Sequence, residues 1–130
     1  MQKLLIIDDN HSFIDSVKVI LKELPMKLSL SSCDRYSAAR KLLEEAEYDL
    51  ILLDNETETS QKGTDFVESI LRSSDDYNKE SFIVFSSRLD SAAAQLKALG
   101  VRGFSKPFKI PEFQQYISKV LIAKAQKKVS

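Results

Sequence analysis

The chain has one cysteine, one histidine, three glycines and no surplus of either charge, and each scarcity removes a class of function. Cys33 alone cannot close an internal disulfide, and one histidine with one cysteine is too few ligands for a structural zinc site. A reducing, cytoplasmic setting is the expectation. Lys plus Arg equals Asp plus Glu at 19 each, so no global positive field draws the chain to a nucleic-acid backbone, and no direct nucleic-acid partner is expected. No apolar run approaches the ~20 residues that span a bilayer. Met1, Gln2 and Lys3 lead straight into a short apolar stretch ending at Asp8 and Asp9, so neither a membrane span nor a secretory leader is expected. The segment from Asp8 to Ser12 holds no glycine and no Walker loop occurs, which argues against dinucleotide and P-loop folds.

What is present is ordinary globular composition, 43% hydrophobic and 29% charged over 130 residues, which predicts one domain over 1–130. Short apolar blocks alternate with longer stretches at helical spacing, the pattern of an α/β, doubly wound parallel sheet covered by helices on both faces. Strands are predicted at Lys3 to Ile7, Leu28 to Ser32, Asp49 to Leu53, Phe82 to Phe85 and Val101 to Ser105. The first helix is expected over His11 to Leu24, with Phe13, Val17, Ile20, Leu21 and Leu24 inward and Pro25 as its stop. Asp34 is placed to cap a second helix through Ala46. A third carries Phe66, Val67, Ile70 and Leu71, and a fourth runs from Leu89 to Leu99 with Gly100 as a left-handed stop. Pro111 suits the first position of the last helix, where Phe113, Tyr116, Ile117, Val120 and Leu121 recur at spacings of three and four. Lys119, Lys124, Lys127 and Lys128 read as a solvated helix end that complements the helix dipole.

In an open parallel sheet, functional groups gather at the carboxyl ends of strands. Here the residues after the apolar runs are Asp8 and Asp9, then Asp54, then Ser86 and Ser87, then Lys106. If the first and third strands are neighbours, three carboxylates share one cleft, and their repulsion has to be offset by protons or a cation. Magnesium suits an oxygen-only set of one or two carboxylates, and it keeps waters and phosphate oxygens in its shell. The pattern therefore points to phosphate chemistry. Each feature alone has a plainer explanation: Asp8 and Asp9 as a turn and cap, Asp54 as a loop acid, Ser86 as a turn residue, Lys106 as a surface lysine. His11 is expected to face solvent and Cys33 to be an inert small residue.

With Leu4-Leu5-Ile6-Ile7-Asp8-Asp9-Asn10, Leu50-Ile51-Leu52-Leu53-Asp54, Ile83-Val84-Phe85-Ser86-Ser87 and Lys106-Pro107-Phe108 in this order, the chain resembles the receiver domains of two-component response regulators over its whole length. The resemblance implies a flavodoxin-like sheet of five parallel strands, order 2-1-3-4-5, flanked by five helices. It makes Asp54 the phosphoacceptor, fed by a histidine kinase or a histidine phosphotransfer protein in a Mg2+-dependent reaction. It gives the metal to Asp8, Asp9, Asp54 and the backbone carbonyl of Glu56. Lys106 and Ser86 would each hold a phosphoryl oxygen, and Ser86 with Phe104 would form the switch. An unidentified downstream protein would read the face made by the fourth helix, fifth strand and fifth helix. Lys106-Pro107 would be a cis peptide. The domain would be a phosphoaccepting switch, catalysing only its own phosphorylation and dephosphorylation.

Two stretches depart from the family pattern. The loop after Asp54 lacks the usual Met-Pro step, is longer than usual and places Glu56 two residues past the acceptor, where its carboxylate can repel a phosphodonor or orient a water. The stretch Gly103-Phe104-Ser105-Lys106 is shorter than usual. The rival function is a phosphorylation-independent binding module on the same fold, favoured by that loop and opposed by the retained acids, Ser86 and Lys106. A phosphatase with an aspartyl nucleophile on the first strand would need an acid at position 10, where this chain has Asn10.

Overall fold

In the computed structural model the backbone is described for residues 1–129 and side chains for residues 1–127. The strands are Gln2–Ile7 (β1), Leu28–Cys33 (β2), Leu50–Asp54 (β3), Phe82–Ser86 (β4) and Arg102–Ser105 (β5), all parallel in the order β2-β1-β3-β4-β5. Helices His11–Lys22 (α1), Tyr36–Glu45 (α2), Gly63–Ser73 (α3), Leu89–Leu99 (α4) and Ile110–Val129 (α5) connect and cover them, and a 3-10 turn at Lys79–Ser81 precedes β4. The expected α/β sheet and strand order are what the chain forms.

Side chains alternate across each strand, so one apolar run feeds two cores. Leu4 and Ile6 of β1 with Leu50 and Leu52 of β3 pack under α1 and α5. Leu5, Ile7, Ile51 and Leu53 pack under α2, α3 and α4. Burial of each such side chain favours folding by about 1.5–3 kcal/mol, and the central strands β3 and β4 are buried at every position. Edge strands β2 and β5 are half-buried or mixed, as edge positions require. The sheet's carboxyl end is thus held rigidly from both sides.

Several local expectations are corrected. The fully buried stripe of α1 is Ile14, Val17, Ile20 and Leu21; Phe13 and Leu24, also expected inward, are half-buried against the same core. The helix ends at Lys22, because Glu23 N and Leu24 N bond the carbonyls of Ile20 and Leu21, tightening the last turn before Pro25 can act. Asp34 does not cap α2. Its carboxylate pairs with Arg35 at 3.0 Å, and the first amide of the helix, Tyr36 N, donates instead to Glu58 Oε1 at 3.1 Å. In α5, Ile110 comes first and Pro111 second, a place where the missing amide is equally harmless because first-turn amides have no helical partner. Lys124 is no purely solvated end, since its Nζ donates to the Asp49 carbonyl and reaches Ser81 Oγ at 3.4 Å. The side chain of Lys128 lies outside the described residues. His11 is exposed, as expected.

Candidate functional site

The backbone ladder continues past the strand ends and aims the polar residues. Asp8 N donates to Cys33 O on β2, Asn55 N to Phe85 O on β4, and Lys106 N to Ser86 O, at 2.8–3.1 Å. Two neighbouring strands, β2 and β4, thereby fix the residues that follow β1, β3 and β5. Within the resulting cleft Lys106 Nζ lies 2.6 Å from Asp8 Oδ2 and 3.1 Å from Asp54 Oδ1. Its ammonium also stands 4.1 Å from the centre of the Phe13 ring, a favourable cation–π position. Phe13 is therefore a wall of the cleft as well as a half-buried neighbour of the α1/α5 core. The Lys106-Pro107 peptide is cis.

Asp8, Asp9 and Asp54 each offer a carboxylate oxygen within 4.8 Å of the others, with Asp8 and Asp54 buried and Asp9 exposed. Burial pushes the Asp8 carboxyl above its ordinary value; the hydrogen bonds from Lys106 and from Asn10 N pull it back, and the Asp54 charge adds to the rise. At Lys106 burial acts downward, but the hydrogen bond to Asp8 and the Asp54 charge outweigh it, so the ammonium is held more firmly than usual. The two directions agree physically: one cation serves buried acids that repel each other. Three carboxylates against one ammonium leave a negative, all-oxygen cluster, a donor set that fits a hard divalent cation.

Asp54 is also gripped from behind. Thr57 Oγ1 donates to its Oδ2 at 3.2 Å, and the Tyr36 hydroxyl donates to its backbone carbonyl at 2.6 Å. Burial first, and the Asp54 charge second, raise the Tyr36 phenol well above its ordinary value. Tyr36 stacks on Phe66 of α3. Asn55 closes the loop: its carbonyl accepts from Gly63 N at 2.9 Å and its Oδ1 from Thr64 N at 3.0 Å, which secures the start of α3. Gly63 is required there, since a Cβ would lie 2.8 Å from Asp54 O and 2.9 Å from Asn55 Cα. Sequence reasoning missed Tyr36, Thr57 and Asn55.

At the end of β4, Ser86 is wholly buried and Ser87 exposed. Ser86 Oγ donates to the Glu56 carboxylate at 2.8 and 3.0 Å. Phe104 is buried against Phe85, Phe113 and Tyr116, with the Arg102 guanidinium over its ring. Phe113 and Tyr116 join the α1/α5 core, as expected. Cys33 is half-buried, its thiol pushed up to about 11 mainly by burial, which suits an unreactive role.

Residues 4–118 match the family model described as response regulator receiver domain. The chain belongs to this family. Receiver domains are phosphoaccepting switches more than turnover catalysts, and they engage histidine kinases and downstream effectors. No curated protein matches this receiver in sequence. Among solved structures it is similar to the two-component transcriptional regulator AraC of Clostridium phytofermentans ISDg, at 18% identity and TM-score 0.79 over 99% of this chain and 98% of that one. It is similar to the signal receiver domain of a DNA-binding response regulator (merR) of Colwellia psychrerythraea 34H, at 21% identity and TM-score 0.80, covering 93% and 98% of the two chains. A receiver protein of Pseudoalteromonas atlantica is alike in fold at 11% identity and TM-score 0.80, with 94% and 98% covered. At such identities the shared property is the receiver fold. Among the described residues no helix is long and apolar enough to cross a membrane.

Proposed function

We propose that this receiver, acting as one unit over 1–130, accepts a phosphoryl group on Asp54 from a histidine kinase or histidine phosphotransfer protein and thereby changes its affinity for a downstream protein. The observation that carries the reading is Lys106 Nζ bridging Asp8 and the buried Asp54 beside a third acid, Asp9. An Asp54 oxygen attacks phosphorus as the bond to the donor nitrogen breaks, and the leaving imidazole keeps the electron pair and takes a proton. Asp8, Asp9, Asp54 and the Glu56 carbonyl would hold Mg2+, which when bound neutralises charge spreading over the phosphoryl oxygens. Lys106 releases Asp8 and places its ammonium on a phosphoryl oxygen, and Ser86 gives its hydroxyl to another. Both contacts form only in the modified state, so they bias the conformational equilibrium. Ser86 with Phe104 carries that bias to the face formed by α4, β5 and α5, where the downstream protein binds. The free thiol of Cys33 suits a cytoplasmic setting.

Intact mass after incubation with acetyl phosphate or phosphoramidate, with and without Mg2+, tests this directly. The expected result is a metal-dependent phosphoryl adduct on the natural protein and none on Asp54→Asn. A folded natural protein that takes no phosphoryl group from these donors or from a cognate kinase would refute it in favour of the phosphorylation-independent binding module.

A further inference from the structure

The hydroxyl that the modified state needs is already in use. Ser86 Oγ donates to Glu56 Oε1 at 2.8 Å and lies 3.0 Å from Oε2, and Ser87 Oγ lies 3.5 Å from the same carboxylate. Ser86 Oγ also accepts from Arg88 N at 2.9 Å. A serine hydroxyl has one proton. With its oxygen held by the Arg88 amide and its proton on a carboxylate, buried Ser86 has no donor left for a phosphoryl oxygen. The Ser86–Glu56 bond is charge-assisted and so belongs to the strong class. Glu56 is also tied to the acceptor by only two residues of chain, so any change at Asp54 is felt where the carboxylate is rooted.

A displaced Glu56 has somewhere to go. A small cavity between the loop after β3 and the start of α4 is lined by Glu56 together with Lys62 and Arg88. Two cations there offer the carboxylate an alternative to Ser86, so the side chain has two places within reach.

Resting on Asp54 as the acceptor, we propose that Glu56 is a positioning residue that holds Ser86 in the unmodified state and competes with the incoming anionic group for the Ser86 proton. Ser86 then engages a phosphoryl group only by leaving Glu56, and the strength of that hold sets how readily the switch is thrown. This is distinct from simple repulsion between Glu56 and the anion, which would act whether or not Ser86 were present.

The test uses beryllofluoride with Mg2+, a tetrahedral stand-in for the phosphoryl group, with affinity read by 19F NMR and folding checked by the amide spectrum. Natural protein, Glu56→Ala, Glu56→Gln, Ser86→Ala and the Glu56→Ala/Ser86→Ala double variant form a thermodynamic cycle. Glu56→Ala is expected to bind the probe about tenfold more tightly than the natural protein, within the range of ordinary coupling between sites. Glu56→Gln, which keeps an accepting oxygen but loses the charge, is expected to gain less. In the Ser86→Ala background the Glu56→Ala gain is expected to fall below about twofold, the limit of additivity for uncoupled sites. An equal gain in both backgrounds, or equal gains for Glu56→Ala and Glu56→Gln, would overturn the proposal in favour of repulsion alone. No gain from Glu56→Ala would overturn it outright while leaving the acceptor reading intact. If every variant and the natural protein fail to bind the probe, Asp54 as acceptor falls and the proposal falls with it.

Discussion

Gly63 sits where a side chain would strike the main chain of Asp54 and Asn55, so Gly63→Ala is the sharpest probe of how this site is built. A Cβ at this position would meet Asp54 O at 2.8 Å, Asn55 Cα at 2.9 Å and Asn55 Oδ1 at 3.3 Å. The first two are main-chain atoms, which no rotamer change relieves. The Asp54 carbonyl has little room to retreat because it accepts from the Tyr36 hydroxyl at 2.6 Å, and Asn55 is tied to Phe85 O and to Gly63 itself. Overpacking of this kind costs about 1–3 kcal/mol. Against it stands a gain of roughly 0.4–1 kcal/mol from the restricted unfolded chain. The net expectation is a loss of about 1–2 kcal/mol, which for a chain of this length lowers Tm by about 3–8 °C. Urea unfolding should show a lower midpoint with unchanged slope. The same displacement moves Asp54 by a few tenths of an ångström, so phosphoryl transfer from acetyl phosphate should slow more than stability alone explains. An alanine variant as stable as the natural protein and equally fast to phosphorylate would refute the claim that this contact positions the acceptor.

Two further outcomes follow from the same geometry. The Asp8 carboxyl is raised in the folded state above the ordinary 3.8, burial being the first cause; its contribution to stability is therefore present below that value and lost as pH rises through the folded one. In divalent-free buffer at pH 7, Asp8→Asn should then melt above the natural protein, with the advantage vanishing in acid, and Mg2+ should no longer stabilise it; a lower Tm at pH 7 would contradict this. Tyr36→Phe removes the donor to a buried carbonyl and should destabilise by about 1–2 kcal/mol in urea unfolding, an expectation that fails if the two proteins share one midpoint.

The central strands β1, β3 and β4 were legible because their apolar runs are continuous, the signature of a strand buried on both faces, whereas the edge strands β2 and β5 carry only short mixed runs. Asp8 and Asp54 were legible for a related reason, since each directly follows such a run, while Lys106 stood out as the basic residue at the end of the last strand, where its amide bonds Ser86 O of β4. The choice of Ser86 over Ser87 as the inward residue followed from the same end-of-strand position. Tyr36 and Asn55 were not legible. Tyr36 bonds a main-chain carbonyl eighteen residues away, and Asn55 a main-chain amide across the loop, and a backbone partner leaves no trace in residue type. The cap of α2 was misassigned because Asp34 has Arg35 beside it, and that charge outcompetes helix amides for the carboxylate. Phe13 was rightly read as facing the core from its helical spacing, but its second role under the half-buried Lys106 ammonium left no trace in that spacing.

The sheet also works as a partition. Lys106 rests on Phe13, whose ring meets Phe85 and Phe108 edge-on, and those rings continue to Phe104 and Phe113. All of that aromatic chain lies on the α1/α5 side. The Asp54 carbonyl, through Tyr36 and Phe66, lies on the side of α2 and α3. If Asp54 accepts a phosphoryl group as proposed, that event would have two routes out of the cleft separated by the strands, one through the Lys106 ammonium and the other through the Asp54 main chain. A substitution that cuts the aromatic route at its origin, such as Phe13→Ala, would leave the main-chain route joined to the same residue, so loss of response on one surface would be no measure of loss on the opposite one.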